Sequence, residues 1–326
     1  MFDQIIPIIN EKNRFVLIAH VSPDGDTLGS CLALAKALEQ KGKKVCLFCS
    51  DSIPDSYRFM REMDRFQVPD EKEPSDSFEV CIAIDCSDLE RTGNASRYVA
   101  NCEYSINIDH HISNTFYGKY NIVDRCASAT GEIVYHLIKA MGALLTKDIS
   151  EYLYIAITTD TGSFCYENTT AETHKIAADL ISHGVHVSEL STVLFKQRSL
   201  SKTRLLGQAL STLEVLEDGL LAIIHVSLDM MKSVQASDND CDGIVNYAQE
   251  IEGVELAILI REQSNRLYKI SFRTRSYVDA SEIARVFGGG GHKRAAGCTI
   301  EGDFTEVKNK LMVQVHKNLL CKGKSV

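Results

Sequence analysis

Between positions 14 and 124 the chain alternates short unbroken apolar runs with longer stretches whose apolar residues recur every three or four positions. "RFVLIAH" (14–20) predicts a buried strand. "TLGSCLALAKALEQKG" (27–42) predicts the helix after it, with Leu28, Leu32, Ala35 and Leu38 at helical spacing and Gly42 as its stop. "KKVCLFCS", "FEVCIAID" (78–85), "EYSINIDHH" (103–111) and "YNIVD" (120–124) predict further strands, with a short helix near 55–63. Strands separated by helices predict a mostly parallel sheet covered on both faces.

From 128 onward the pattern turns helical, over 128–142, 146–160 and 170–184. The stretch 187–218 carries no strand signal and reads as a helical connector. Beyond it, strands are predicted over 219–226, 254–262, 266–275 and 296–301, with helices near 239–251, 279–287 and 303–321. The predicted fold class is α/β. A parallel-sheet domain spans 1–186, the connector 187–218, and a smaller mixed α/β domain 219–326.

Composition adds bounds. With 326 residues, 44% hydrophobic and 24% charged, the chain is long enough for two domains with separate cores. No apolar run approaches the roughly 18 residues of a membrane span. "MFDQIIPIIN" lacks a basic leader, so a cytoplasmic protein without membrane attachment is expected. Eleven scattered cysteines suggest neither a disulfide framework nor a zinc site. The C-x-x-C of Cys46 and Cys49 lies in a strand, where alternation sends the two thiols to opposite faces.

The net charge of −9 argues against coating a long nucleic acid. Residues 261–297 nevertheless hold eight Lys or Arg against three Asp or Glu, a local +5 that leaves −14 elsewhere. Such a contrast suits a small anionic ligand held at one place.

Candidate chemistry gathers where the strands end. His20, Asp24 and Asp26 follow the first strand, Asp85 closes another, and Asp109, His110 and His111 close a third. Functional groups in a parallel sheet collect at those carboxyl ends. Asp160 closes "YLYIAITTD", with Gly162 just beyond it. Five carboxylates brought together repel one another unless cations sit among them. Oxygen donors with imidazoles favour Mn²⁺, with Mg²⁺ as the alternative, in a two-metal site. Ser22, Ser30 and Ser163 read as turn or capping residues rather than nucleophiles.

"HVSPDGDTLGS", the Asp85 of "IAIDCSD", "DHH" at 109–111 and "TTDTGSF" resemble, in order, the motif set of the DHH phosphoesterases. "FGGGGHKRAAG" (287–297) resembles the glycine-rich signature of their associated C-terminal domain. Length and plan are most similar to the oligoribonuclease (nano-RNase) and 3′-phosphoadenosine-5′-phosphate (pAp) phosphatase branch. The resemblance implies that His20 and Asp24 bind one metal, and Asp26, His110 and Asp160 the other. It implies Asp85 as the bridge, Asp109 as support, and His111 against the scissile phosphate or behind the cluster.

"GGGGH" lacks the Lys-Ser/Thr of a P-loop. Between a short helix and a strand, its backbone N–H groups can still line an anion site, with charge from His292, Lys293 and Arg294. The resemblance implies substrate binding by Arg273, Gly289, Gly290, Gly291 and His292. The expected function is metal-dependent hydrolysis of very short oligoribonucleotides to mononucleotides, and of pAp to AMP. No stable complex with long nucleic acid is expected, and a homodimer is compatible with the plan. Cleavage of the dinucleotide pApA from a cyclic-dinucleotide pathway and a non-catalytic nucleotide sensor remain as alternatives.

Overall fold

The structure, a computed structural model, describes residues 1–69 and 78–322. It divides into two compact units, Met1–Gln197 and Arg198–Val326. Among the described residues no helix is long and apolar enough to cross a membrane.

In the first unit the elements run α1 (Ile6–Glu11), β1 (Arg14–Ala19), α2 (Gly25–Gln40), β2 (Lys44–Phe48), β3 (Phe66–Gln67), β4 (Val80–Ile84), α3 (Ser96–Asn101) and β5 (Tyr104–Asp109). They continue through β6 (Tyr120–Val123), α4 (Thr130–Ala140), α5 (Lys147–Asp160), α6 (Ala171–Ser182) and α7 (Val187–Ser191). The strands form one sheet in the order β3-β2-β1-β4-β5-β6, parallel throughout. The order reverses between β1 and β4, which opens a crevice at their carboxyl ends.

Strand alternation explains the two covered faces. Phe15, Leu17, Ile82, Ile84, Ile106 and Ile108 face a core shared with Leu32, Leu38, Leu137 and Leu153 of the helices. Val16, Ile18, Cys81 and Ala83 face the other way, toward Tyr98 and Val99 of α3. Cys49 belongs to the first core and Cys46 packs against the second, so the C-x-x-C thiols do face apart.

Two glycines let the helices over the site approach closely. A Cβ on Gly29 would stand 2.4 Å from the Tyr152 carbonyl, and one on Gly131 would stand 2.7 Å from Ala156 Cβ. This contact brings the start of α2, the start of α4 and the end of α5 to one place.

The second unit contains α8 (Leu200–Leu210), β7 (Glu214–Leu216), β8 (Leu221–Val226), α9 (Leu228–Ser233), α10 (Ile244–Gln249), β9 (Leu256–Ser264) and β10 (Leu267–Thr274). It ends with α11 (Ala280–Val286), β11 (Gly290–Gly291), β12 (Ala295–Glu301) and α12 (Phe304–Lys322). The sheet order is β11-β12-β10-β9-β8-β7, with β8 and β9 parallel and the other pairs antiparallel. One face packs on α8, α9 and α10, the other on α11 and α12.

Some local expectations are corrected. Residues 55–63 form no α-helix; 3₁₀ turns occupy Asp55–Tyr57 and Met63–Arg65, and Glu62 between them takes a left-handed φ of +63°. The stretch 187–218 is not wholly helical. Its helix breaks at extended Gln197, and Glu214–Leu216 pairs with β8 as an edge strand. Three residues are too few to leave a periodic signal.

Candidate metal centre and glycine-rich hairpin

Ala19 pairs with Ile84, and Ile84 with Ile108. The residues that follow these partners, His20, Asp85 and Asp109, therefore stand in a row at the carboxyl edge of the sheet. All three are buried. The His20 Nδ1 lies 2.7 Å from the Val21 carbonyl, and Nε2 faces Asp24 Oδ1 at 3.5 Å and Asp85 Oδ2 at 3.4 Å. Arg91 Nη2 stands 3.0 Å from the same Nδ1.

Asp24 is the N-cap of α2, accepting the N–H groups of Asp26 and Thr27 at 3.0 and 3.1 Å. The helix starts earlier than its apolar pattern, so Asp26 lies in its first turn. From there Asp26 accepts the N–H groups of Thr130 at 2.7 Å and Gly131 at 2.9 Å, the opening amides of α4. A carboxylate at a helix N-terminus meets unpaired donors and the positive end of the dipole.

His110 Nε2 lies 3.7 Å from Asp85 Oδ1, 3.5 Å from Asp160 Oδ2 and 4.0 Å from Asp26 Oδ2. Its Nδ1 faces the Ala127 carbonyl at 3.2 Å. Asp160 is the last residue of α5. Two groups of three donors, His20–Asp24–Asp85 and Asp26–His110–Asp160, each have ligand atoms within 4.8 Å of one another. A third group is Asp85–His110–His111, and His111 Nδ1 lies 2.7 Å from Asp109 Oδ1.

Electrostatics follow from crowding. Burial, then Asp85 and Asp160, hold Asp26 well above the usual carboxylate range. Burial, with help from Asp85 and Asp24, raises Asp160 to about 6. Burial opposes a charge on His20, but Asp24 and Asp85 outweigh it and raise its pKa to about 10. The bond to Asp109 raises His111 to about 9. Burial works against the Asp109 carboxylate, yet bonds from His111 and Asn114 hold its pKa below the usual value. Protons and divalent cations compete for these oxygens, so the donor set fits cations.

The glycine-rich segment is a hairpin rather than an open loop. Gly290 and Gly291 pair with Gly297 and Ala296, and His292 exchanges hydrogen bonds with Ala295 at 2.8 and 3.2 Å. The N–H groups of Gly288 and Gly289 go to carbonyls of Arg285 and Ala284, closing α11. Arg273 pairs with Ala295 on the other side. Opposed residues share a face, so Arg273 and His292 flank the small Ala295 side chain roughly 10 Å apart, at about 4.8 Å per strand. The structure thus places Arg273 on β10 and the glycines and His292 on the hairpin of β11 and β12 beside it.

Several partners went unread in the sequence. Thr130 donates its hydroxyl to Asp85 Oδ1 at 2.7 Å. Asn114 donates to Asp109 Oδ2 at 2.5 Å and to Asn107 Oδ1 at 2.7 Å. The alternation of Ser105, Asn107 and Asp109 in β5 was a usable signal, since one face of a buried strand was polar and needed partners. Of the serines, Ser30 donates to Asp26 at 3.2 Å, while Ser22 and Ser163 occupy positive-φ turns.

Residues 14–157 match the DHH family, N-terminal domain, and residues 223–318 match the DHHA1 domain. The chain is 34% identical over 308 residues to the bifunctional oligoribonuclease and PAP phosphatase NrnA of Thermus thermophilus, covering 94% of this chain and 90% of that one. It is 28% identical to the protein of the same name from Bacillus subtilis, over 92% and 93% of the two chains. An exopolyphosphatase-related protein from Bacteroides fragilis superposes with a TM-score of 0.89 at 27% identity, covering 97% of this chain and 95% of that one. The exonuclease RecJ bound to manganese shares the fold, with a TM-score of 0.54 at 13% identity over 97% and 95% of the chains.

Proposed function

The chain belongs to the DHH family of phosphoesterases, and on that premise we propose that it hydrolyses very short oligoribonucleotides to mononucleotides and pAp to AMP. The observation that carries the reading is the position of Asp85. Its Oδ2 lies 3.4 Å from His20 and its Oδ1 3.7 Å from His110, so its two oxygens address two separate donor groups.

His20 and Asp24 would hold one ion and Asp26, His110 and Asp160 the other, with Asp85 shared; Mn²⁺ suits the donors, with Mg²⁺ as the alternative. Bound there, the ions would acidify a water and offset charge on the phosphoryl oxygens. Thr130 fixes the Asp85 carboxylate through its hydroxyl. Asp109 Oδ1 accepts a hydrogen bond from His111 Nδ1–H, which orients the half-exposed ring and leaves Nε2 for a phosphate oxygen. No side-chain nucleophile is required.

Arg273 and His292 are assigned to a terminal phosphate of the substrate, on the hairpin edge of the second unit. The acidic chain and this local basic segment favour substrates of a few nucleotides over long strands.

The test is a panel of pAp, a diribonucleotide, a 5-mer, a 20-mer, pApA and pyrophosphate, each with Mn²⁺. Release of mononucleotide from the shortest RNAs and of phosphate from pAp is expected. Preference for the 20-mer or for pyrophosphate would overturn the reading. Binding without turnover across the panel would make the protein a sensor.

A further inference from the structure

We propose that Phe116 and Arg125 form a nucleoside platform at the rim of the metal centre, with a substrate base stacked on the Phe116 ring and the Arg125 guanidinium on an adjoining phosphate. The inference rests on the hydrolase reading above and adds to it the surface that holds the base.

Phe116 is 51% exposed and has φ of +55°. A bulky aromatic residue avoids that region, and it persists only where the surroundings impose it. Burial is not the cause, since Phe116 belongs to none of the apolar cores among the described residues. Hydrogen bonds impose it instead. The Phe116 N–H donates to Asn114 Oδ1 at 2.7 Å, and the Thr115 N–H donates to the Ser87 carbonyl at 2.9 Å. The loop holds an aromatic ring out to solvent at a conformational cost.

The same Asn114 donates its amide to Asp109 Oδ2 at 2.5 Å. One side chain therefore ties the Phe116 backbone to the carboxylate that orients His111. Arg125 reaches the same place from the other direction. The N–H of its neighbour Asp124 donates to the Asp109 carbonyl at 3.0 Å. The Arg125 guanidinium carbon stands 5.6 Å from the Phe116 ring centroid. Arg125 is exposed, and among the described residues no carboxylate lies within ion-pair distance of it. An aromatic face with an unpaired guanidinium beside it recognises a base and its phosphate in single-stranded nucleic acid.

The experiment uses the full chain with Phe116→Asn, because Asn tolerates a left-handed φ and the variant should fold at least as well as the parent. Substrates are a diribonucleotide and its abasic counterpart, each assayed for turnover with Mn²⁺ and for equilibrium binding with Ca²⁺. The parent should prefer the intact dinucleotide about 10-fold or more, the scale of one base–aromatic stack. In Phe116→Asn that ratio should fall toward one, and Phe116→Trp should restore it. Arg125→Gln should raise KM for both substrates and weaken the salt dependence of binding. Equal losses on intact and abasic substrates in Phe116→Asn would overturn the platform. Absence of parent turnover, with base-dependent binding that Phe116→Asn abolishes, would sink the hydrolase reading and leave the platform standing.

Discussion

The hydroxyl of Thr130 is hydrogen-bonded to Asp85 Oδ1 at 2.7 Å, while the N–H of the same residue binds Asp26 Oδ2 at 2.7 Å. One residue at the start of α4 thus positions two carboxylates from two other elements. Thr130→Val keeps the shape and the amide but removes the hydroxyl. Loss of a group that orients a metal ligand typically costs 10–100-fold in metal affinity or activity. We expect a Mn²⁺ titration of Thr130→Val to shift upward by about that range, with Thr130→Ser close to the parent.

Asp85→Asn is a clean probe because Asp85 has φ of +61°, which Asn also tolerates. Fold and melting temperature should be retained. Turnover should fall by more than the about 10²–10³-fold lost with a single transition-state donor. Near-parental kcat at saturating Mn²⁺ would show that Asp85 is not shared between two ions.

The glycines of the hairpin should separate by role. A Cβ on Gly289 would stand 2.2 Å from the Gly297 carbonyl, and one on Gly291 would stand 2.6 Å from the Ala295 carbonyl at a φ of +138°. A Cβ on Gly290 meets nothing within 4 Å. Alanine at 289 or 291 should lower the melting temperature, whereas Gly290→Ala should melt with the parent yet raise KM for dinucleotide. Parental KM in folded Gly290→Ala would remove Gly290 from the binding surface.

Arg273→Ala and His292→Ala should leave bound Mn²⁺ unchanged, since these residues belong to the second unit. A raised KM for dinucleotide is expected, with kcat lowered as well where remote binding positions the phosphate. Metal analysis of the purified variants, alongside steady-state kinetics, checks this; loss of Mn²⁺ would contradict the division of labour.

Glu255 gives the second unit an acid-sensitive joint. Its carboxylate accepts the N–H groups of Ser276, Tyr277 and Val278 at 2.8 to 3.1 Å and the Ser276 hydroxyl at 2.7 Å. Burial works against the charge, but these donors outweigh it and hold the pKa below its ordinary value. A depressed folded pKa means stability present above the unfolded value of about 4.3 and lost as pH falls through the folded one. Glu255→Gln should cost about 1.5–3 kcal/mol at pH 7, the scale of a hydrogen bond to a charged group. The gap from the parent should narrow below pH 4. A gap in thermal unfolding that is constant with pH would refute the charge-based account.

Much of this protein was legible in its residues. Unbroken apolar runs such as Phe15–Ala19 and Val80–Ile84 announce strands buried on both faces, because only a covered parallel sheet hides both sides of a strand. His20 and Asp85 follow those runs directly and Asp109 ends a third strand, so the row of donors could be read from strand ends alone. What sequence could not supply was the chemistry of contact across chain distance. Thr130 meets Asp85 and Asn114 meets Asp109 because glycines let helices close in and one loop folds back on the sheet. Likewise, Phe116 reads as an ordinary apolar residue until its positive φ and its place beside Arg125 are seen. Local pattern determines which segments become strands and helices, since burial and periodicity act along the chain. Hydrogen bonds and ion pairs act through space, so only the tertiary structure decided which donors would share an oxygen.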